Sequence, residues 1–180
     1  MPRRDAGPTR RDPRALLVVA AVLLVARVAL GIHESRNPPS RPDLVRWRPA
    51  ATAEAEARTQ GRPVLYDFTA EWCAPCRAMQ HEVFADAEGA TFINGRFVPV
   101  RVLDRQREEG RNPPLVDSLQ ARFHITGFPT LVVVPPQGGE PVTLDGYAGK
   151  NVTLARLAEA AGHAMPRRTF RLGTVGHRGR

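Results

Sequence analysis

Cysteine is scarce here: the 180-residue sequence has two, Cys73 and Cys76. That excludes a disulfide-stapled scaffold. A bond between them would close so short a loop that it would add little to folding, so if the pair is more than two incidental core residues, it matters as chemistry. A second Cys-x-x-Cys is missing, and the five histidines, His33, His81, His124, His163 and His177, are scattered. A zinc site would need the fold to bring Cys73, Cys76, His81 and His124 together. Haem attachment needs a histidine directly after the second cysteine, where Arg77 stands. No glycine-rich phosphate loop follows an apolar strand, and Gly138-Gly139 reads as a turn. Neither a metal nor an organic cofactor is expected. Lysine is nearly absent too, with Lys150 the single one among 26 basic residues.

The formal charge of +8 is unevenly spread. Residues 1–31 carry six arginines against two aspartates, and residues 165–180 carry five arginines and no acid. The body, 32–164, holds 15 basic and 16 acidic residues, a net of −1. A nucleic-acid-binding domain carries its basic surface on the folded part, so nucleic acid is not an expected partner. With 42% hydrophobic residues and 15 glycines the composition is that of a globular protein. The length suits one domain with additions.

Residues 15–32, ALLVVAAVLLVARVALGI, hold one charge, Arg27, and approach the roughly 20 residues that span a bilayer. Five arginines precede the run, which favours a cytoplasmic amino end, residues 1–14, and export of the chain beyond residue 32. Two readings stay open. In one the run is a retained signal anchor, with Arg27 snorkelling near the outer end. In the other it is a cleaved signal peptide, with 15–26 as apolar core and Ala29-Leu30-Gly31 as the cleavage site. Asp12 and Pro13 weaken the twin-arginine hint of Arg10-Arg11. Either reading places the body outside the cytoplasm, in a periplasm or its equivalent, and membrane-tethered if the run is kept. Residues 33–42, with Pro38, Pro39 and Pro42, read as an extended linker. The tail 165–180 reads as solvated, or as touching anionic headgroups.

The body, 43–164, alternates strand and helix patterns. Expected strands are Leu44–Trp47, Pro63–Thr69, Phe97–Leu103, Thr130–Val134 and Pro141–Leu144. Expected helices are Ala50–Gln60, Cys73–Phe84, Asp86–Asn94, Leu115–Phe123 and Asn151–Gly162, with 104–113 a polar loop. Such alternation implies an α/β fold with helices on both faces of a sheet. The last two strands, joined by a short turn, must be antiparallel, so the sheet is mixed.

The chemistry sits where the strand Pro63–Thr69 runs into Cys73-Ala-Pro-Cys76. At the first position of a helix, Cys73 meets unpaired N–H groups and the positive end of the dipole. These favour thiolate over thiol. Cys76, three residues on, lies on the same face within bonding range, so its thiol can resolve a mixed disulfide formed at Cys73. Pro75 falls in the first turn, where its missing N–H is no loss. Met79, Gln80 and Val83 continue the face of Cys76.

The run YDFTAEWCAPCR resembles the active-site segment of the thioredoxin superfamily, and Thr126-Gly-Phe-Pro-Thr130 resembles its cis-proline loop. The similarity covers roughly residues 44–163. It is nearest to membrane-tethered or exported members, in particular the thioredoxin-like periplasmic domain of transmembrane disulfide-reductase transporters, through Arg62-Pro63-Val64 and Phe84. The resemblance implies a thioredoxin-like three-layer α/β/α sandwich with a central mixed sheet. It implies a thiol–disulfide oxidoreductase, acting as a reductase on protein disulfides and supplied with electrons by a membrane protein. Cys73 would be the exposed nucleophile and Cys76 the resolving thiol. Pro129 would be the cis proline facing the redox pair, with Trp72, Pro75 and Phe128 beside it on the substrate side. Asp67 would be a buried carboxylate able to take the proton of Cys76, with a hydrogen-bonded strand residue as the lesser alternative. Three features depart from the family pattern: a longer stretch from Asp104 to Pro114, the bulky Phe128, and no lysine near Asp67, for which Arg101 is the candidate replacement. A thioredoxin-like binding module with secondary cysteines is the alternative.

Overall fold

The computed structural model describes residues 13–36 and 42–164, and the chain divides between Ser40 and Arg41 into two units. The amino-terminal segment 1–12, linker residues 37–41 and the tail 165–180 lie outside the described residues.

The described residues of the first unit form one 24-residue helix, α1 (Pro13–Arg36). Leu17, Val18, Val22, Leu23, Leu24 and Val25 are all exposed along it. Among the described residues no helix is long and apolar enough to cross a membrane. The side chains described without a break, 17–29, cover only part of the apolar run 15–32.

The second unit is built on four strands: β1 (Val64–Ala70), β2 (Val98–Asp104), β3 (Thr130–Val134) and β4 (Val142–Asp145), in the order β2-β1-β3-β4. β1 pairs parallel with β2 and antiparallel with β3, which pairs antiparallel with β4. The sheet is therefore mixed, with β1 inside it. Around it run α2 (Ala50–Gln60), α3 (Ala74–Met79), a π-turn (Gln80–Phe84), α4 (Ala87–Arg96), α5 (Gln106–Glu109), α6 (Pro114–Arg122) and α7 (Lys150–Ala164).

Strand periodicity divides the core. On one face Leu65, Leu131 and Val133 pack with Met79 of α3, Val83 and Phe84 of the π-turn, Ile93 of α4 and Leu157 of α7. On the other, Val64, Tyr66, Phe68 and Val100 pack with Ala53 and Ala57 of α2 and Leu119 of α6. Helices thus cover both faces of the sheet, giving three layers. The alanines of α2 let that helix lie close to the sheet, and Gly61 (φ 64) ends it in the left-handed conformation.

Three expectations need correction. Leu44–Trp47 is not a strand. Its polar groups go instead to Phe84 O (from Leu44 N, 3.0 Å), Asn94 Oδ1 (from Arg46 N, 2.8 Å) and Pro99 O (from Arg48 N, 2.7 Å). Pro99 lacks the N–H that a ladder along the outer edge of β2 would need, so this segment is a strap across the edge. The stretch 104–113 is not plain loop but contains α5. Buried Asp104 holds it, accepting from Gln106 N (3.2 Å), Asn112 Nδ2 (2.8 Å) and Gln120 Nε2 (2.9 Å). The helix expected over Cys73–Phe84 is broken in type: α3 stops at Met79, and Ala85 N reaches back five residues to Gln80 O (2.8 Å). Other ends differ from expectation by a residue or two, as helix and strand termini do.

Candidate active site

β1 delivers its last residue, Ala70, to the mouth of the site. Two residues of turn come next, and Cys73 caps α3. Cys73 is thus the N-cap, one residue ahead of the helical position expected for it. Its φ of −76° and ψ of 105° are extended, as a cap requires. Cys76 N donates to Cys73 Sγ at 3.2 Å, so the sulfur occupies the place where a capping oxygen stands in other helices. An anion at this sulfur gains from the orphan N–H groups and the dipole of the helix start. Cys73 and Cys76 are joined by a disulfide of 2.03 Å with Cα atoms 5.3 Å apart.

The expectation of an exposed Cys73 is also corrected: Cys73 is 2% and Cys76 3% exposed. The cause is local packing. Phe128 lies against the cluster of Ala70, Cys73 and Cys76, and Trp72 meets Phe128 edge-on with centroids 6.0 Å apart. Trp72 itself is 45% exposed, with the Arg107 guanidinium 5.4 Å from its ring. Pro75 lies exposed in the first turn of α3. The Phe128–Pro129 peptide bond is cis. Pro129 is buried, and its carbonyl accepts from Gly146 N (2.9 Å). Thr130 Oγ1 lies within hydrogen-bond distance of Gly127 O and Asp145 Oδ1 (3.0 and 3.1 Å), which share its single proton, fastening the turn to β4.

Asp67 stands in the middle of β1, 1% exposed. It is paired in register with Arg101 of the parallel neighbour β2, so both side chains leave the sheet on one face. Arg101 Nε donates to Asp67 Oδ2 at 3.1 Å, while Asp67 Oδ1 has no hydrogen-bond partner among the described residues. Burial pushes the Asp67 carboxyl up to about 6; Arg101 opposes that shift and the negative charge of Asp43 adds to it. Arg101 therefore fills the place for which no lysine was found. Two residues of this cluster are not foreseen from the sequence, Asp43 and Trp47. Asp43 pairs with Arg101 Nη1 and accepts from Trp47 Nε1 (3.1 Å). The Trp47 ring lies 4.2 Å from the Arg101 guanidinium. A polar residue after a proline-rich stretch carries no local signal of this role.

Among the described residues no group of three or more His, Cys, Asp or Glu side chains could hold a metal ion.

A family model described as a thioredoxin-like domain matches residues 50–161. The chain belongs to the thioredoxin-like family. Its relatives include the thiol:disulfide interchange protein DsbD of Ralstonia nicotianae, 28% identical over a gapped alignment of 185 positions that covers 89% of this chain and 29% of that protein. The thiol:disulfide interchange protein DsbD 2 of Pseudomonas aeruginosa is 33% identical over 131 residues, covering 72% of this chain and 20% of that one. This thioredoxin-like chain thus spans less than a third of the length of either relative. A thioredoxin from Thermus thermophilus has a similar structure, with a TM-score of 0.54 and 30% identity over 64% of this chain and 85% of its own. A protein titled DsbH Oxidoreductase shares the fold at a TM-score of 0.58 and 21% identity, covering 70% of this chain and 90% of that one.

Proposed function

We propose that this thioredoxin-like domain is a protein thiol–disulfide oxidoreductase that reduces client disulfides outside the cytoplasm. The observation that carries the reading is the Cys73–Cys76 disulfide at the amino-terminal end of α3. Its relatives, named as thiol:disulfide interchange proteins, support it. In the reduced protein the Cys73 thiolate attacks one sulfur of a client disulfide. A bond forms between Cys73 and that sulfur, and the client's other sulfur leaves as a thiolate. The Cys76 thiol passes its proton to the Asp67 carboxylate, attacks Cys73 Sγ and expels the second client thiolate. Two electrons have then moved from the protein's dithiol to the client. The protein is left with the Cys73–Cys76 disulfide, and protons from Asp67 and solvent complete the client thiols.

Trp72, Pro75, Phe128 and Pro129 form the client-facing rim, where an extended client segment pairs with backbone beside Pro129. A membrane protein bearing a reduced cysteine pair restores the dithiol by the same exchange and is itself oxidised. Residues 15–32 tether the domain beside that donor, with the amino end in the cytoplasm.

The test is trapping. The full chain carrying Cys76→Ala is expressed in cells, quenched in acid and alkylated. Mixed disulfides through Cys73 accumulate, disappear on reduction, and are lost when Cys73→Ser is added. Absence of trapped species, together with full function of a Cys73→Ser, Cys76→Ser double variant, would refute the enzyme and leave a binding module.

A further inference from the structure

The strap ahead of α2 is fixed more firmly than a connector to the sheet requires. Asn94 grips it from both sides, accepting from Arg46 N and donating to Leu44 O (2.8 and 3.0 Å). Leu44 N is bonded to the last carbonyl of the π-turn, that of Phe84. Trp47 packs edge-on against the Phe84 ring at 5.1 Å. These contacts set one side chain in place, that of Asp43, whose Oδ2 receives both Trp47 Nε1 and Arg101 Nη1.

Arg101 could have offered its fork of parallel N–H groups to Asp67 alone, the strong bidentate arrangement. It does not. Asp67 receives Nε only, Asp43 takes Nη1, and one oxygen of each carboxylate is left without a partner among the described residues. Trp47 and Phe84 hold the guanidinium in the dividing position, their ring centres 4.2 and 5.4 Å from it. One cation thus serves two carboxylates, of which Asp67 is the fully buried one. We propose that Asp43 is a positioning residue for the disulfide chemistry: by holding half of the Arg101 guanidinium, it governs how strongly Asp67 holds a proton. The catalytic consequence rests on the oxidoreductase reading above, in which Asp67 takes the proton of Cys76.

The charged groups acting on Asp67 are Arg101 from β2 and Asp43 from the strap. At α3, Cys76 is bonded to the capping Cys73, and Arg77 turns its Nη1 to Glu71 O (2.8 Å). The rest of that face is apolar, with Leu65 of β1, Leu131 of β3, Met79 of α3, and Val83 and Phe84 of the π-turn. Burial without full compensation keeps a carboxyl protonated to higher pH. Replacing Asp43 by a neutral residue removes a like charge and releases Arg101 to Asp67, and both changes favour the Asp67 anion.

The test follows the Asp67 carboxyl by carbon NMR in the oxidised full chain in detergent micelles, its resonance assigned with Asp67→Asn. The wild-type midpoint is expected near 6, and Asp43→Asn is expected to lower it by about one pH unit. Asp43→Glu, which keeps the charge, should restore it. Trp47→Phe keeps the aromatic packing but removes the N–H to Asp43, and should lower the midpoint by less. A midpoint unmoved or raised in a folded Asp43→Asn chain overturns the proposal. The pH profile of insulin reduction by the same chains separates the two readings. If the midpoint falls and its acid limb moves with it, both stand. If the midpoint falls and no chain reduces insulin at any pH, Asp43 still governs Asp67 and the oxidoreductase reading fails.

Discussion

Asp67, buried in the middle of β1, links the proposed proton transfer to the stability of the domain. Its carboxyl is raised from 3.8 to about 6 by burial, against the opposing pull of Arg101. The native state therefore binds this proton more tightly than the unfolded chain, and linkage fixes the sign. Stability conferred by the protonated form is complete below the unfolded value and is lost as pH rises through the folded one. Urea unfolding of the oxidised protein should show stability falling by about 2–3 kcal/mol from this group between pH 4 and 6. In Asp67→Asn that component of the slope should vanish, whereas an unchanged slope would mean the carboxyl is not held as described. The identity of the residue was legible, because a lone acid inside the apolar run Pro63–Thr69 needs a reason. Its partner was legible only as a candidate, since Arg101 becomes its neighbour through the parallel register, which no local pattern displays. Cys73 shows the opposite limit. The cap position is readable from spacing to within one residue, but its burial depends on Phe128, more than fifty residues further along the chain.

Among the elements, the π-turn after α3 has a consequence of its own. By taking one extra residue it turns both Val83 and Phe84 into the core, and it brings the Val83 carbonyl against the start of α4. At Gly89 a Cβ would stand 2.3 Å from Val83 O, a backbone atom that cannot swing aside. Gly89→Ala should therefore destabilise the domain by about 1–3 kcal/mol, read as a lower melting temperature with the redox pair intact. A melting temperature equal to wild type would show that α4 and the π-turn are not packed as described. The elements on the sheet were legible from periodicity, because strand and helix patterns are set by which side chains must be buried. The exceptions were decided by long-range partners. The strap 43–48 is shaped by Asn94, Phe84 and Pro99, and α5 is held by Asp104, Asn112 and Gln120. Neither set is close enough in sequence to leave a local signal. The change from α to π hydrogen bonding at Gln80 has no residue signature either: Gln80–Phe84 contains neither proline nor glycine.

For the whole molecule, charge and function are separate. Arginines gather at the two ends, while the folded unit, near neutral, keeps its ionic groups for local work such as the Asp43–Arg101–Asp67 cluster. The property proposed for the domain, a two-electron exchange at Cys73 and Cys76, is measured most directly by redox titration. The full chain in detergent is equilibrated across a series of thiol–disulfide buffers, and free thiols are scored by alkylation and mass. The proposed reductase predicts one reversible two-electron transition confined to Cys73 and Cys76, with a potential near that of thioredoxin, about −270 mV. A potential near about −120 mV would reverse the direction of electron flow, and the absence of any reversible transition at these two cysteines would contradict the account outright.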